Sequence, residues 1–328
     1  MNEENTYQSS LARHIVGFVD EKRSLGYKYI TGARIMRKFD EYWAEHGYGE
    51  TDLTANNLTD WIQKRNGEGT GNLNNRIVVT RQFSIYMNGL SIPSYIPPLN
   101  VRVEKPVRHL LTIPEVGGLF AQIDAHQLHD GKGNTPATRR MLDEYPVLFR
   151  LIYLNGMRVS EACKLPVSQI NLDDGIITIL VGKGCQDRLV YLADDMRRLC
   201  IDYLNYLKGC LGGTLIWLFP GRDALKPISI STVEREFNAF WSRTTFAGAC
   251  DKKPTVHDLR HAYVVHRINR WLEQGLDFEH MLPYLSKFLG HKSFNETFYY
   301  YHYAEEAAKT IRKMDTVTGK VIPEVMRR

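Results

Sequence analysis

The chain has 328 residues, of which 43% are hydrophobic and 24% charged, with a formal net charge of +5. That length holds two domains, each able to bury its own core, and the composition is ordinary for a soluble globular protein. So mild a charge permits nucleic-acid binding without arguing for it, so any charge that serves DNA must be arranged locally. Five cysteines (Cys163, Cys185, Cys200, Cys210, Cys250), an odd number with no C-x-x-C pair, speak against structural zinc and a disulfide framework and for a reducing cytoplasm. The polar, acidic start Met1-Asn2-Glu3-Glu4-Asn5 is not a signal peptide, and apolar runs such as Leu215–Phe219 are too short to span a bilayer.

From about residue 8 to 90 the spacing predicts helices with short polar connections. Leu11, Ile15, Val16 and Val19 fall on one face of the first. Ile35, Met36, Phe39 and Tyr42-Trp43 repeat the spacing, as do Leu58, Trp61 and Ile62, and Ile77 through Met87 gives a fourth helix with Arg76 and Arg81 among its polar positions. The intervening Asn66-Gly67-Glu68-Gly69-Thr70-Gly71 lacks the lysine of a phosphate-binding loop and reads as a flexible connection. Pro93, Pro97 and Pro98 disfavour helix, and Arg102, Lys105 and Arg108 follow them. Residues 93–108 are therefore a basic linker after a helical domain of residues 1–92.

Past the linker, Thr112-Ile113-Pro114-Glu115 has the form of a capping box and opens a helix through Phe120. Residues 124–145, with Gly131, Gly133 and Pro136, read as polar loop. A helix through Leu148-Phe149, Leu151-Ile152 and Leu154 ends at Asn155-Gly156. Ile176–Val181 is β-branched and strand-like, Gly182-Lys183-Gly184 is a turn, and Leu189–Leu192 reads as the return strand. The remainder is mostly helical, with a tail from Thr316. The fold class is thus mainly α with a small β hairpin: a helical N-terminal domain, a mixed α+β domain over 109–315 and a tail over 316–328.

Chemistry concentrates in the second half. His257, Arg260 and His261 stand at i, i+3 and i+4, so on a helix they share one face. A guanidinium fork beside imidazoles suits a phosphate: the fork holds two oxygens and the imidazole moves a proton. The same residues are also compatible with capping and core histidines. A zinc site would use the His-x-x-x-His spacing, but Asp258 stands where the protease motif has glutamate and Arg260 would set a cation beside the metal. Arg158 and Glu161 are spaced to pair at a helix start, worth only about 0.2–0.5 kcal/mol if exposed. Lys183 sits between two glycines at a hairpin tip, free to swing or simply to solvate a turn. Tyr300, within Tyr299-Tyr300-Tyr301, is either aromatic packing or a phenol whose anion neighbouring cations stabilise.

Taken in order, these sites resemble the tyrosine recombinase (phage integrase) family. Arg158 in Asn155-Gly156-Met157-Arg158-Val159-Ser160-Glu161 looks like the first catalytic arginine, and Lys183, followed by Arg188, resembles the hairpin lysine. His257 and Arg260 match an H-x-L-R-H box, His291 an L-G-H box, and Tyr300 the nucleophile, nine residues after His291 and two before His302. The resemblance covers residues 109–315, and the N-terminal helices are similar to a core-binding domain in general character. It departs at Asn155, where threonine is common, in the crowding of Tyr299 and Tyr301, and in a longer 121–145 segment.

The resemblance implies a site-specific DNA recombinase that forms a 3′-phosphotyrosyl intermediate. Arg158 and Arg260 hold the scissile phosphate, Tyr300 attacks, and Lys183 protonates the leaving 5′-oxygen. His257 acts as acid/base at the tyrosine and His291 bonds the phosphate, with Glu161 and His261 in support. It further implies no metal, ATP or other cofactor, a homotetramer clamped on double-stranded DNA bearing specific sites, accessory DNA-bending proteins in some systems, and a cytoplasmic, nucleoid-associated place. The helix from about Ala304 to Met314 is expected to dock on a neighbouring protomer. A type IB topoisomerase shares this set of residues, and a catalytically idle DNA-binding protein shares the fold. A helical interaction protein fits the composition but leaves the ordered series unexplained.

Overall fold

The computed structural model describes residues 7–99, 109–125, 135–180, 187–212, 215–250, 252–291, 293–298 and 300. Lys183 and its turn, the basic residues Arg102, Lys105 and Arg108, Cys185, Tyr299, Tyr301, His302, the expected docking helix and the tail lie outside these residues. The chain divides into two compact units, Met1–Val107 and Arg108–Arg328.

The first unit holds helices α1 (Ala12–Ser24), α2 (Ile30–Glu45), α3 (Ala55–Ile62) and α4 (Thr70–Gly89). Leu11, Ile15, Phe18 and Val19 form the buried stripe of α1, at spacings of four, three and one. Val16, expected on that face, is 45% exposed, because Phe18 occupies the inward position instead. The core centres on Phe39, whose ring lies 5.3 Å from Trp43, 5.2 Å from Trp61 and 6.0 Å from Phe83. Trp61 meets its polar need by donating to Thr80 Oγ1 at 2.8 Å.

The glycine-rich connection differs from the flexible loop expected of it. Glu68 accepts from the Arg65 amide at 3.1 Å and from Arg76 Nε at 3.2 Å, and it pairs with the second guanidinium nitrogen as well. Arg76 is buried and also donates to the Gln63 carbonyl at 2.9 Å. The ion pair staples the loop, and α4 starts at Thr70 rather than near Ile77. The proline segment beyond α4 runs back over the same unit: the Tyr95 amide donates to the Leu53 carbonyl and Arg81 to the Pro97 carbonyl, both at 2.8 Å.

The second unit begins with α5 (Ile113–Asp124), where Thr112 and Glu115 form the expected capping box. It continues with α6 (Pro136–Leu154) and α7 (Val159–Cys163). A three-stranded antiparallel sheet follows, β1 (Ile170–Asn171), β2 (Ile176–Ile179) and β3 (Arg188–Tyr191), in the order β1-β2-β3 with Ile177 opposite Val190. Then come α8 (Asp194–Leu211), α9 (Ile230–Ser242), α10 (Val256–Glu273), α11 (Phe278–Leu289) and α12 (Phe294–Phe298). The core wraps α6, whose Leu148, Phe149, Leu151 and Ile152 are fully buried.

Residues 136–145, read as loop, are the first half of α6. Thr135 caps it by accepting from the Thr138 amide, and Pro136 takes the first position, where a missing N–H costs nothing. Its polar Arg140 and Glu144 face inward as a buried ion pair, and Arg140 also donates to the Pro220 and Gly221 carbonyls. Burial pushes the Glu144 carboxyl up, and the Arg140 charge opposes that rise.

Candidate active site

Two turns and one helix assemble the site. The first turn ends α6 at Asn155-Gly156, where Gly156 adopts a φ of +57°. A side chain there would press within 2.7 Å of the Tyr263 ring and 2.9 Å of Leu289, so both the conformation and the space call for glycine. Arg158 follows as the N-cap of α7, and Glu161 reaches back to accept from its amide at 2.9 Å. The second turn ends α11 at Gly290, left-handed at φ +63°, and hands the chain to His291.

Three arginines converge there. Arg158 donates to Glu161 Oε1 and to the Gly290 carbonyl, both at 2.8 Å. Arg188, at the start of β3, grips both oxygens of the same carboxylate, at 2.9 and 2.6 Å. Arg260, on α10 and 2% exposed, donates to the Gly156 carbonyl, to the Leu289 carbonyl at 2.8 Å and to His291 Nε2 at 3.0 Å. Each guanidinium is thus held in place by backbone or carboxylate oxygens on a different element. Burial alone would raise the Glu161 pKa, but the hydrogen bond and charge of Arg188, then the backbone and side-chain hydrogen bonds of Arg158, hold it at about 2. Burial, then the charge of Arg158, lowers Arg260 to about 9, so it stays protonated at neutral pH.

The histidines lie against this cationic centre. Burial, followed by the charges of Arg260, Arg158, Arg188 and His257, depresses His291 to about 3, so its ring is neutral at pH 7. His257 and His261 stand one turn apart on α10 with ring centres 4.5 Å apart, edge to face. Asp258 between them caps α10, accepting from the Thr255 amide at 2.7 Å and its hydroxyl at 2.8 Å, which commits it to the helix start. Among the described residues no group of three His, Cys, Asp or Glu side chains is placed to hold a metal ion.

Tyr300 is buried, its hydroxyl 2.5 Å from His261 Nδ1 and its ring stacked 6.5 Å from that of His291. The structure therefore brings Arg158, Glu161, Arg260, His257, His261, His291 and Tyr300 into one cluster. The imidazole bonded to the phenol is His261, where the resemblance implied His257, and His257 stands behind it. Sequence reasoning gave no role to Arg188 or Thr297. Thr297, three residues before Tyr300, is fully buried with its hydroxyl 2.7 Å from His291 Nδ1. In the sequence Arg188 stands out only by its place just before the return strand, and its inward-facing position is set by the burial pattern of the folded strand.

Comparison with known proteins gives a consistent result. The chain is 29% identical over 265 residues to tyrosine recombinase XerD of Rhizobium meliloti, covering 79% of each protein. It is 26% identical over 281 residues to XerD of Rickettsia conorii, covering 82% of this chain and 86% of the relative. In fold it resembles the XerH site-specific recombinase bound to palindromic difH substrate in a post-cleavage complex, with a TM-score of 0.62, 19% identity and coverage of 87% of this chain and 78% of that one. No helix among the described residues is long and apolar enough to cross a membrane. The model of the phage integrase family matches residues 132–307, more than half of the chain, and the protein belongs to that family.

Proposed function

We propose that this protein is a site-specific DNA recombinase in which Tyr300 attacks the scissile phosphate and forms a 3′-phosphotyrosyl bond. The observation that carries the reading is the convergence of Arg158 and Arg260 with a buried phenol and three imidazoles. A phosphate placed between the two guanidiniums meets fixed donors where charge develops on its non-bridging oxygens. Preorganised charge of this kind is commonly the largest single contribution to catalysis. The phenol proton passes to His261 Nδ1, with His257 next to that ring, as the Tyr300 oxygen bonds to phosphorus. The bond from phosphorus to the 5′-oxygen breaks, and Lys183 supplies the proton to that leaving oxygen.

One phosphoester replaces another, so the step conserves bond energy and needs no ATP. Attack by a 5′-hydroxyl from a partner duplex reverses it and completes strand transfer. Double-stranded DNA with specific sites is the partner, held by a homotetramer, and the XerH structure bound to its difH substrate supports the DNA partner by likeness of fold. Integration or excision of a mobile element and resolution of DNA dimers both use this chemistry.

The test offers the protein a pair of plasmid-borne sites taken from inverted repeats flanking its gene. Joining of the two sites, lost in Arg158→Ala, is the expected result. Relaxation of any supercoiled plasmid without joining would indicate topoisomerase activity instead. Specific binding without cleavage would indicate an idle DNA-binding protein.

A further inference from the structure

We propose that Thr297 is a positioning residue: it accepts the Nδ1 proton that the Arg260 contact with Nε2 dictates, and so ties the His291 ring to the short helix that precedes the nucleophile. The proposal rests on the catalytic reading of His291 and Tyr300. Its starting point is the geometry of two hydrogen bonds. A guanidinium has donors and no acceptor, so His291 Nε2, 3.0 Å from Arg260 Nη2, must present a lone pair. The ring proton of the neutral imidazole is then on Nδ1, 2.7 Å from Thr297 Oγ1, and the threonine hydroxyl accepts it. Thr297 is completely buried, so no water competes for that bond.

The surroundings keep the ring neutral. Arg260 and His257 face it from α10, Arg158 from the turn before α7 and Arg188 from β3, while Tyr300 stacks on it. Glu161 is the acid within this group, and both of its oxygens are bonded to arginines. Burial, and then the charges of these groups, therefore disfavour a positive charge on His291. The consequence reaches the reaction. With its proton on Nδ1, the ring turns a lone pair toward Arg260, and it meets an anionic oxygen only after Nε2 gains a proton or Arg260 turns away. Thr297 accepts from Nδ1 in either charge state, so it holds the ring's orientation while the charge changes. Because Thr297 and Tyr300 are three residues apart, the same bond sets the nucleophile relative to the phosphate-binding ring.

The experiment uses the full chain labelled with ¹⁵N-histidine, at pH 7 and without DNA. Two-bond ¹H–¹⁵N correlations read the tautomer of His291, assigned by loss of its signals in His291→Gln. The wild type is expected to show a protonated Nδ1 and a bare Nε2. Thr297→Ser keeps that pattern, and Thr297→Val, which retains shape but removes the acceptor, keeps the tautomer set by Arg260 but moves the Nδ1 proton signal upfield and speeds its exchange with water. Single-turnover cleavage is expected to fall about tenfold in Thr297→Val at unchanged DNA affinity, and to recover in Thr297→Ser. Nε2 protonation in the wild type, or an Nδ1 proton whose shift and exchange rate are unchanged in Thr297→Val, would overturn the proposal. The tautomer is read without DNA, so a wild type that cleaved no DNA would contradict the recombinase reading separately.

Discussion

In the N-terminal unit the buried charges are isolated and locally answered: Asp40 accepts from the amides of Gln8 and Ser9 and from the Ser9 hydroxyl, and Arg76 pairs with Glu68. In the C-terminal unit three arginines crowd together, and among the described residues Glu161 is the carboxylate bonded to them, to Arg158 and Arg188. The first arrangement staples loops to helices. The second leaves an excess of buried positive charge that folding by itself does not call for, since uncompensated buried charge is costly. Local rules of stability are broken where a ligand's charge completes the balance.

The sharpest way to break this comparison is to remove a cation from the crowded centre. Arg260→Ala is expected to lower the single-turnover cleavage rate by about 10² to 10³, the usual effect of removing one fixed donor to developing charge, while DNA retention in a filter assay stays near wild type. Equal loss of binding and cleavage would make Arg260 structural. Removing the shared carboxylate is next in size. Glu161→Gln leaves Arg158 and Arg188 without their counter-charge and is expected to cost about 3–5 kcal/mol in urea unfolding.

That variant also carries a pH signature. Glu161 is held at about 2 against an ordinary 4.5, so its stabilisation is complete above pH 4.5 and lost as the pH falls toward 2. His291, held at about 3 against 6.5, loses its share over the range from 6.5 down to 3. The wild-type urea midpoint should fall in two overlapping stages, and Glu161→Gln should remove the lower one. In the other unit, Glu68→Gln is expected to cost about 1–3 kcal/mol by unpairing Arg76. DNA cleavage should survive wherever the protein remains folded. Thr112→Ala, the loss of one helix cap, should cost about 1 kcal/mol and leave the rate unchanged.

How far the sequence disclosed this molecule follows the same division. The Thr112–Glu115 cap and the stripes of α2 and α3 were legible because spacing alone determines them. Val16 was misplaced because two apolar residues compete for one position and only packing decides between them. The first half of α6 was read as loop because Arg140 and Glu144 look solvated until their mutual pairing and the Pro220 and Gly221 carbonyls are known. At the site, Arg158, His257, Arg260, His291 and Tyr300 stand in an ordered series that sequence can show. Arg188 and Thr297 act through partners 27 and six residues away, on other elements, and no short motif encodes those contacts. The carbonyls of Gly156, Leu289 and Gly290, which hold two of the arginines, are likewise backbone groups that no residue type announces.

The most direct test of the central claim is covalent trapping on nicked suicide substrates built from the flanking repeats, in buffer containing EDTA, read on a denaturing gel. Wild type is compared with Tyr300→Phe, Tyr299→Phe and Tyr301→Phe. The account predicts a protein–DNA adduct that forms without metal and disappears only in Tyr300→Phe. An adduct that persists in Tyr300→Phe and is lost in a neighbouring variant would contradict the assignment of Tyr300, and specific binding with no adduct in any variant would contradict the chemistry itself.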